Sequence, residues 1–413
     1  MLLSRTQTSK ITPAKVFMLG AFVVNAGNYL YNVILGRMLG PEAFADAALL
    51  ITFLLILSFM AMTFQLGTAK FSVVFSNKTF RYFHAMMYKY ALLAGSIAGT
   101  LLIIFAKDLQ QLFHTQSSFM FIVFGVGIPV YFALSVNRGV FQGKQLFVPL
   151  TITYQTEMWS RLLVTLLLLW LFTAAASVWV ATGIAVSFFF GLIPFRKPAG
   201  GTLKAFQFKE LTHNRKIINF LLITGFYECT QILINNSDII MVKHFFTSME
   251  AGLYASLALI GRMVYFVAWM FVMQLLPDVV KREKDGQPHK QILVKYAGYV
   301  CFLSAVVVIT CWLFPDMVVS LMFGDAYLAI GGLLWKYALA TSMFAISNIF
   351  VYYFLSLEKY IPVMISGVAG FCQILLIFFY HKSLEQVVLM QIIVMGLLFW
   401  VQLTFYQIYT LKK

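Results

Sequence analysis

Asn219–Phe246 reads NFLLITGFYECTQILINNSDIIMVKHFF, and its reading decides the class of the whole chain. The stretch is long and apolar enough to cross a bilayer, which takes about 20 residues of helix. Yet Glu228, Gln231, Asn235 and Asp238 recur at intervals of three, four and three residues. That spacing puts all four on one helix face. An ionised side chain left against lipid costs roughly 2.5–3.5 kcal/mol by insertion scales. The face is therefore expected to look into a protein or water cavity, either as a functional pathway or as a polar seam gluing this helix to a neighbour.

The rest of the chain agrees. Of its 413 residues 61% are hydrophobic and only 11% charged, and apolar runs recur along the whole length. This composition predicts an all-α, polytopic membrane protein rather than a soluble domain, and continuous runs disfavour a β-barrel. The formal net charge of +15 would suggest nucleic acid in a soluble protein. Here Lys and Arg concentrate in alternate connections, the topology bias of membrane proteins, so no nucleic-acid partner is expected. Cys229, Cys301, Cys311 and Cys372 fall inside apolar runs without a Cys-x-x-Cys pair, and the six histidines lack ligand spacing. No metal or cofactor follows. The run beginning near Lys15 reads as a span, not a cleaved leader.

About twelve spans are expected: 15–36, 42–67, 90–106, 119–136, 146–172, 174–195, 219–246, 251–276, 296–314, 331–357, 361–380 and 387–409. They divide into an N-terminal six-helix lobe (1–195), a basic cytoplasmic linker (196–216) and a C-terminal six-helix lobe (217–413). Arg138 and Lys144 fall in the connection between spans four and five. With both termini cytoplasmic, the opposite side keeps only Arg37, Lys107, Lys243 and Lys382.

The halves read as one unit used twice. A shift of 207 residues places Asn28 on Asn235, and a shift of 208 sets Glu42–Ala48 against Glu250–Ser256. Phe141–Pro149 then matches Phe354–Pro362, each between the fourth and fifth spans of its half. Six spans per half make the repeats parallel. Duplicated halves commonly hold the substrate at their interface near the midplane, so spans one and seven are expected to be symmetry mates. Span one carries its own polar face of Asn25, Asn28 and Asn32.

At the exit of span one, Asn32–Phe44 (NVILGRMLGPEAF) resembles the opening signature of bacterial polysaccharide exporters, the lipid-linked oligosaccharide flippases of the multidrug/oligosaccharidyl-lipid/polysaccharide (MOP) superfamily. Arg138–Gly143 (RGVFQG) and Glu250–Ala255 (EAGLYA) add to the resemblance, which covers nearly the whole chain. Ala45 departs from the pattern, where the family often has Gly. The resemblance implies two six-helix lobes around a cleft that opens alternately to each side. It also implies a cargo of sugar chain on an isoprenoid pyrophosphate.

A pyrophosphate needs fixed positive charge, and Arg presents several donors matched to phosphate oxygens. Arg262, well inside span eight, is the first candidate, with a pairing to Glu228 or Asp238 as the alternative. Asn28 and Asn235 are further substrate candidates, and Arg37 and Lys336 candidates for an outer basic rim or for interfacial anchoring. Glu157 and Arg161, four residues apart, are expected to pair on one face of span five. Glu228 and Asp238 suit coupling to H⁺ or Na⁺, Asp238 lying nearer solvent. Expected partners are the lipid-linked sugar, membrane lipids, a coupling cation and polysaccharide-synthesis enzymes. Localisation is expected in the bacterial inner membrane. The rivals are a cation-coupled multidrug exporter of the same fold and a non-transporting scaffold. An enzyme is not expected, because no connection carries a metal or nucleotide motif.

Overall fold

The computed structural model describes residues 13–172, 174–195, 214–265, 285–357 and 359–411, with scattered positions between 268 and 283. Most of the 196–216 linker and the end of span eight lie outside the described residues. Thirteen α-helices account for the architecture among the described residues, with no strand between them. The chain is an all-α, multi-pass membrane protein.

In order they are α1 (Pro13–Val74), α2 (Asn77–Ile104), α3 (Ala106–Phe113), α4 (Phe119–Gly143), α5 (Phe147–Leu171), α6 (Ala176–Gly191) and α7 (Asn214–Phe245). Then come α8 (Ser248–Gly261), α9 (Lys290–Leu313), α10 (Pro315–Met322), a 3-10 turn (Asp325–Ile330), α11 (Gly331–Ser356), α12 (Ile361–Phe379) and α13 (Leu384–Leu411). Seven of these are long and apolar enough to cross a membrane. The first of them, Val16–Val73, holds 58 residues and supplies two spans. It is broken at Gly40, whose φ of 72° and ψ of 171° are non-helical. Pro41 follows, and proline is tolerated where a helix starts because its missing N–H has no intrahelical partner there.

Two compact units result. Unit 1 is Met1–Asn32 with Leu57–Gly225, and unit 2 is Val33–Ile56 with Phe226–Lys413. The segment around Gly40 thus packs with the C-terminal half of the chain. In unit 1, α2 packs on α4, α4 on α6 and α5 on α6. In unit 2 the corresponding pairs recur, α9 on α11, α11 on α13 and α12 on α13. Each unit also inserts an eight-residue helix after its third span, α3 and α10, and each of these carries an acidic residue in its first turn, Asp108 and Asp316. The repeat read from short sequence matches is therefore a repeat of packing.

Glycines set the tightest of these contacts. A Cβ on Gly99 would lie 2.3 Å from the Gly125 carbonyl oxygen, so the Gly95–Gly99 pattern serves α2–α4 packing. Along α1, Gly20 meets Thr151 and Gly27 meets Met158 of α5, and Tyr31 shares a 3.2 Å hydrogen bond with Thr165.

Two boundaries differ from expectation. Helix α4 runs on to Gly143, so Arg138 lies inside a helix and is 4% exposed rather than sitting in a connection. Helix α6 stops at Gly191, short of the expected 195, with Pro194 beyond it; a residue before proline is steered out of the helical region.

Candidate functional site

The polar face of α7 delivers its carboxylate to a closed cluster inside unit 2. Asp238 is 0% exposed. Arg262, which caps the C-terminus of α8, donates from Nη2 to Asp238 Oδ1 at 2.6 Å. Oδ2 accepts from three neutral donors: Tyr254 of α8 at 3.1 Å, Tyr337 of α11 at 2.8 Å and Gln391 of α13 at 2.6 Å. The Tyr337 hydroxyl in turn accepts from Arg262 Nε at 3.0 Å. Gly261 makes the geometry possible, because a Cβ there would stand 2.4 Å from the Tyr337 ring. Thr341 ties the same turn down through the Gly261 carbonyl at 2.6 Å.

Asp238 was expected nearer to solvent. The structure buries it instead, because α8, α11 and α13 all close over this end of α7. One carboxylate meets one guanidinium, so the cluster is neutral, and every carboxylate oxygen is satisfied. Beside it lies a cavity of about 20 Å³, lined in part by Asn235, Arg262, Tyr337, Thr341 and Gln391. That is room for about one water.

The other expected site residues are placed as follows. Arg37 turns back onto the C-terminus of α10, donating to the carbonyls of Ser320, Leu321 and Met322 at 2.9, 2.5 and 3.0 Å. These carbonyls carry the negative end of the helix dipole, so Arg37 acts there as a cap. Lys336 pairs with Glu385 at 2.5 Å on an exposed surface. Asn28 accepts through its backbone carbonyl from Asn32 at 2.8 Å, while its own Oδ1 is buried without a hydrogen-bond partner among the described residues. The side chains of Glu228 and Gln231 lie outside the described residues.

Lys243, counted from sequence among the outer-side charges, is instead 2% exposed and pairs with Asp46 at 2.8 Å. The three quoted motifs also acquire physical roles. In Asn32–Phe44, Gly36 lies against the Phe323 ring, and its carbonyl accepts from the Tyr327 hydroxyl at 2.8 Å. In Glu250–Ala255, Glu250 closes a capping box with Thr247, and Gly252 faces the Pro41 carbonyl, where a Cβ would be 1.7 Å from the oxygen. In Arg138–Gly143, Gly139 and Gly143 bring α4 against the carbonyls of Gln65 and Ala69.

Arg138 opens a second ionised centre, in unit 1, that sequence reading missed in part. Glu157 accepts from Arg161 on Oε1 and from Arg138 on Oε2, both at 2.6 Å. The (157, 161) pair was expected; its third member was not, because Arg138 was assigned to a connection. Arg138 also donates to the hydroxyl and carbonyl of Thr153 at 3.1 and 2.9 Å, and its guanidinium stands 3.8 Å from the centre of the Tyr154 ring.

No protein-family model and no curated protein matches the sequence. Solved structures do. The lipid II flippase MurJ in an inward closed conformation matches with a TM-score of 0.76 at 13% identity, over 95% of this chain and 87% of that one. The fold is that of the MOP superfamily transporters. An inward-facing multidrug resistance transporter of the MATE family, also of that superfamily, gives 0.73 at 12% identity, over 94% and 95%. A MOP superfamily transporter from Pyrococcus furiosus gives 0.61 at 13%, over 99% and 100%. At these identities the likeness is one of fold.

Proposed function

We propose that this chain is a flippase that moves a lipid-linked oligosaccharide, or a related polysaccharide precursor, across the bacterial inner membrane by alternating access. The observation that carries the reading is the presence of two ionised centres, Asp238–Arg262 and Arg138–Glu157–Arg161, deep in apolar helices of a chain with a transporter fold. Ionised groups at such depth are costly and mark transport pathways. A lipid-linked cargo is supported by the motifs resembling polysaccharide exporters and by the likeness to a lipid II flippase. The six-helix lobes 1–195 and 217–413, and cytoplasmic termini, belong to the same proposal.

In unit 2 the cavity beside Arg262 is far too small for such a cargo. Arg262 reaches a substrate phosphate only after releasing Asp238, so the pair is a switch between an internal and an external anion. Glu228, on the same face of α7, is the proposed coupling carboxylate, exchanging H⁺ or Na⁺. The variant Glu228→Gln then loses cargo-driven ion flux, and full flux in that variant rejects the coupling role.

A multidrug exporter is the second reading, supported by the likeness to MATE transporters. An organic cation would meet the surplus positive charge of the unit 1 centre, which argues against it. The deciding experiment reconstitutes the protein in proteoliposomes and compares translocation of a fluorescent lipid-pyrophosphate oligosaccharide with export of a cationic dye. Movement of the first alone is the expected result. Movement of the dye alone refutes the flippase reading, and a wild-type protein that moves neither makes it a scaffold.

A further inference from the structure

The two ionised centres differ in their charge balance. In unit 2 one guanidinium meets one carboxylate. In unit 1 two guanidiniums meet one carboxylate, and one positive charge is left over. Its side chains are only 5–11% exposed, so bulk water does little to offset that charge.

The two arginines are not equivalent. Arg138 spends its donors on Thr153 and Glu157 and lies over the Tyr154 ring. Arg161 donates from Nη2 to Glu157, while its Nε is buried and has no hydrogen-bond partner among the described residues. A buried charged donor left unmade is costly and calls for an explanation. Depth supplies a second observation. Arg161 stands 14 residues along α5, which runs from Phe147 to Leu171; at 1.5 Å per residue that is about 21 Å, near the middle of the span.

A surplus charge and an unused guanidinium donor near the middle of the span together fit an oxyanion, whose oxygens accept several charge-assisted bonds at once. We propose that Arg161, with Arg138 beside it, forms an anion subsite of unit 1 that takes a phosphate of the lipid-linked cargo. Glu157 holds the two guanidiniums in place, and the incoming phosphate neutralises the centre. The assignment rests on the flippase reading, and it adds a phosphate contact at Arg161 to the one proposed at Arg262.

The test measures binding of farnesyl pyrophosphate to the purified full-length chain in detergent, with farnesol, inorganic pyrophosphate and phosphatidylglycerol as comparison ligands. Arg161→Gln leaves the neutral Arg138–Glu157 pair and weakens farnesyl pyrophosphate at least tenfold. Glu157→Gln raises the surplus to two charges and tightens it several-fold. Arg161→Lys keeps part of the affinity. Melting temperatures recorded alongside identify any variant that has lost its fold, and the opposite signs of the two Gln variants separate a binding role from a structural one. Equal weakening by both variants, or no change in either, overturns the subsite. If the wild type still prefers farnesyl pyrophosphate to farnesol in that case, the flippase reading stands without it. Equal binding of farnesol and farnesyl pyrophosphate by wild type overturns both. Inorganic pyrophosphate or phosphatidylglycerol binding as tightly as the isoprenoid pyrophosphate overturns the assignment to cargo, naming a free anion or a bilayer headgroup instead.

Discussion

Replacing Arg262 by Met tests whether the unit 2 centre is held by charge pairing. The substitution keeps an apolar stem of similar length and removes the guanidinium 2.6 Å from Asp238. Asp238, fully buried, keeps Tyr254, Tyr337 and Gln391 as neutral donors. It loses its only charged partner among the described residues. Breaking one side of a buried pair costs about 3–5 kcal/mol, whereas replacing both partners with neutral groups is often close to neutral. Unfolding entropy of about 2.1 cal/mol/K per residue gives about 0.9 kcal/mol/K for a chain of this length, so the single variant melts about 3–6 °C lower. Asp238→Asn alone strands the arginine and has a similar effect. The double variant Asp238→Asn/Arg262→Met recovers most of the loss, a coupling of at least about 2 kcal/mol in a double-mutant cycle. Thermal unfolding followed by tryptophan fluorescence in one detergent measures all four proteins. An Arg262→Met protein that melts within about 1 °C of wild type, or a double variant at the sum of the two single losses, refutes the reasoning.

Three further outcomes follow from the packing of the segment around Gly40. Gly252→Ala drives a methyl into the Pro41 carbonyl and is expected to cost about 1–3 kcal/mol or more; Gly298→Ala, with open space around it inside α9, gains about 0.5–1 kcal/mol, and melting curves of equal sign for the two dismiss the close contact. Lys243→Met removes the ammonium that pairs with the buried Asp46 carboxylate and costs about 3–5 kcal/mol. It also raises amide exchange in residues 33–56, and unchanged exchange there shows that the pair does not hold the segment. Phe44→Ala empties a site between the rings of Phe323 and Tyr327, 5.7 and 6.4 Å away, and lowers stability by about 3–5 kcal/mol in the same melting assay.

What was legible in the sequence was whatever the helix period and hydropathy carry. The spans and the duplication are both properties of local spacing, and the packing pairs of the two units repeat accordingly. The (157, 161) ion pair was legible for the same reason, since a single helix makes it. What escaped were the partners that tertiary packing brings from elsewhere. Asp238 is buried by residues 16 to 153 positions away along the chain, and no window centred on α7 contains them. Arg37 was read as a rim charge because the carbonyls it caps lie about 285 residues later.

Arg138 shows a different failure. A charged residue followed by glycine at the end of an apolar run looks like the exit from a membrane, and by hydropathy alone the span ended at 136. The helix continues because Gly139 and Gly143 fit against α1, where a larger residue would collide, and because Glu157 and Thr153 of α5 take up the guanidinium. The motif Arg138–Gly143 is thus a packing surface with an arginine at its head. That arginine is what converts the expected neutral pair into a centre with a surplus charge. The charge surplus on which the proposed subsite rests therefore arises where a local rule, that charge ends a span, is overridden by a tertiary contact. Sites of function are where such overrides are expected, because an isolated charge in the bilayer survives only when something specific offsets its cost.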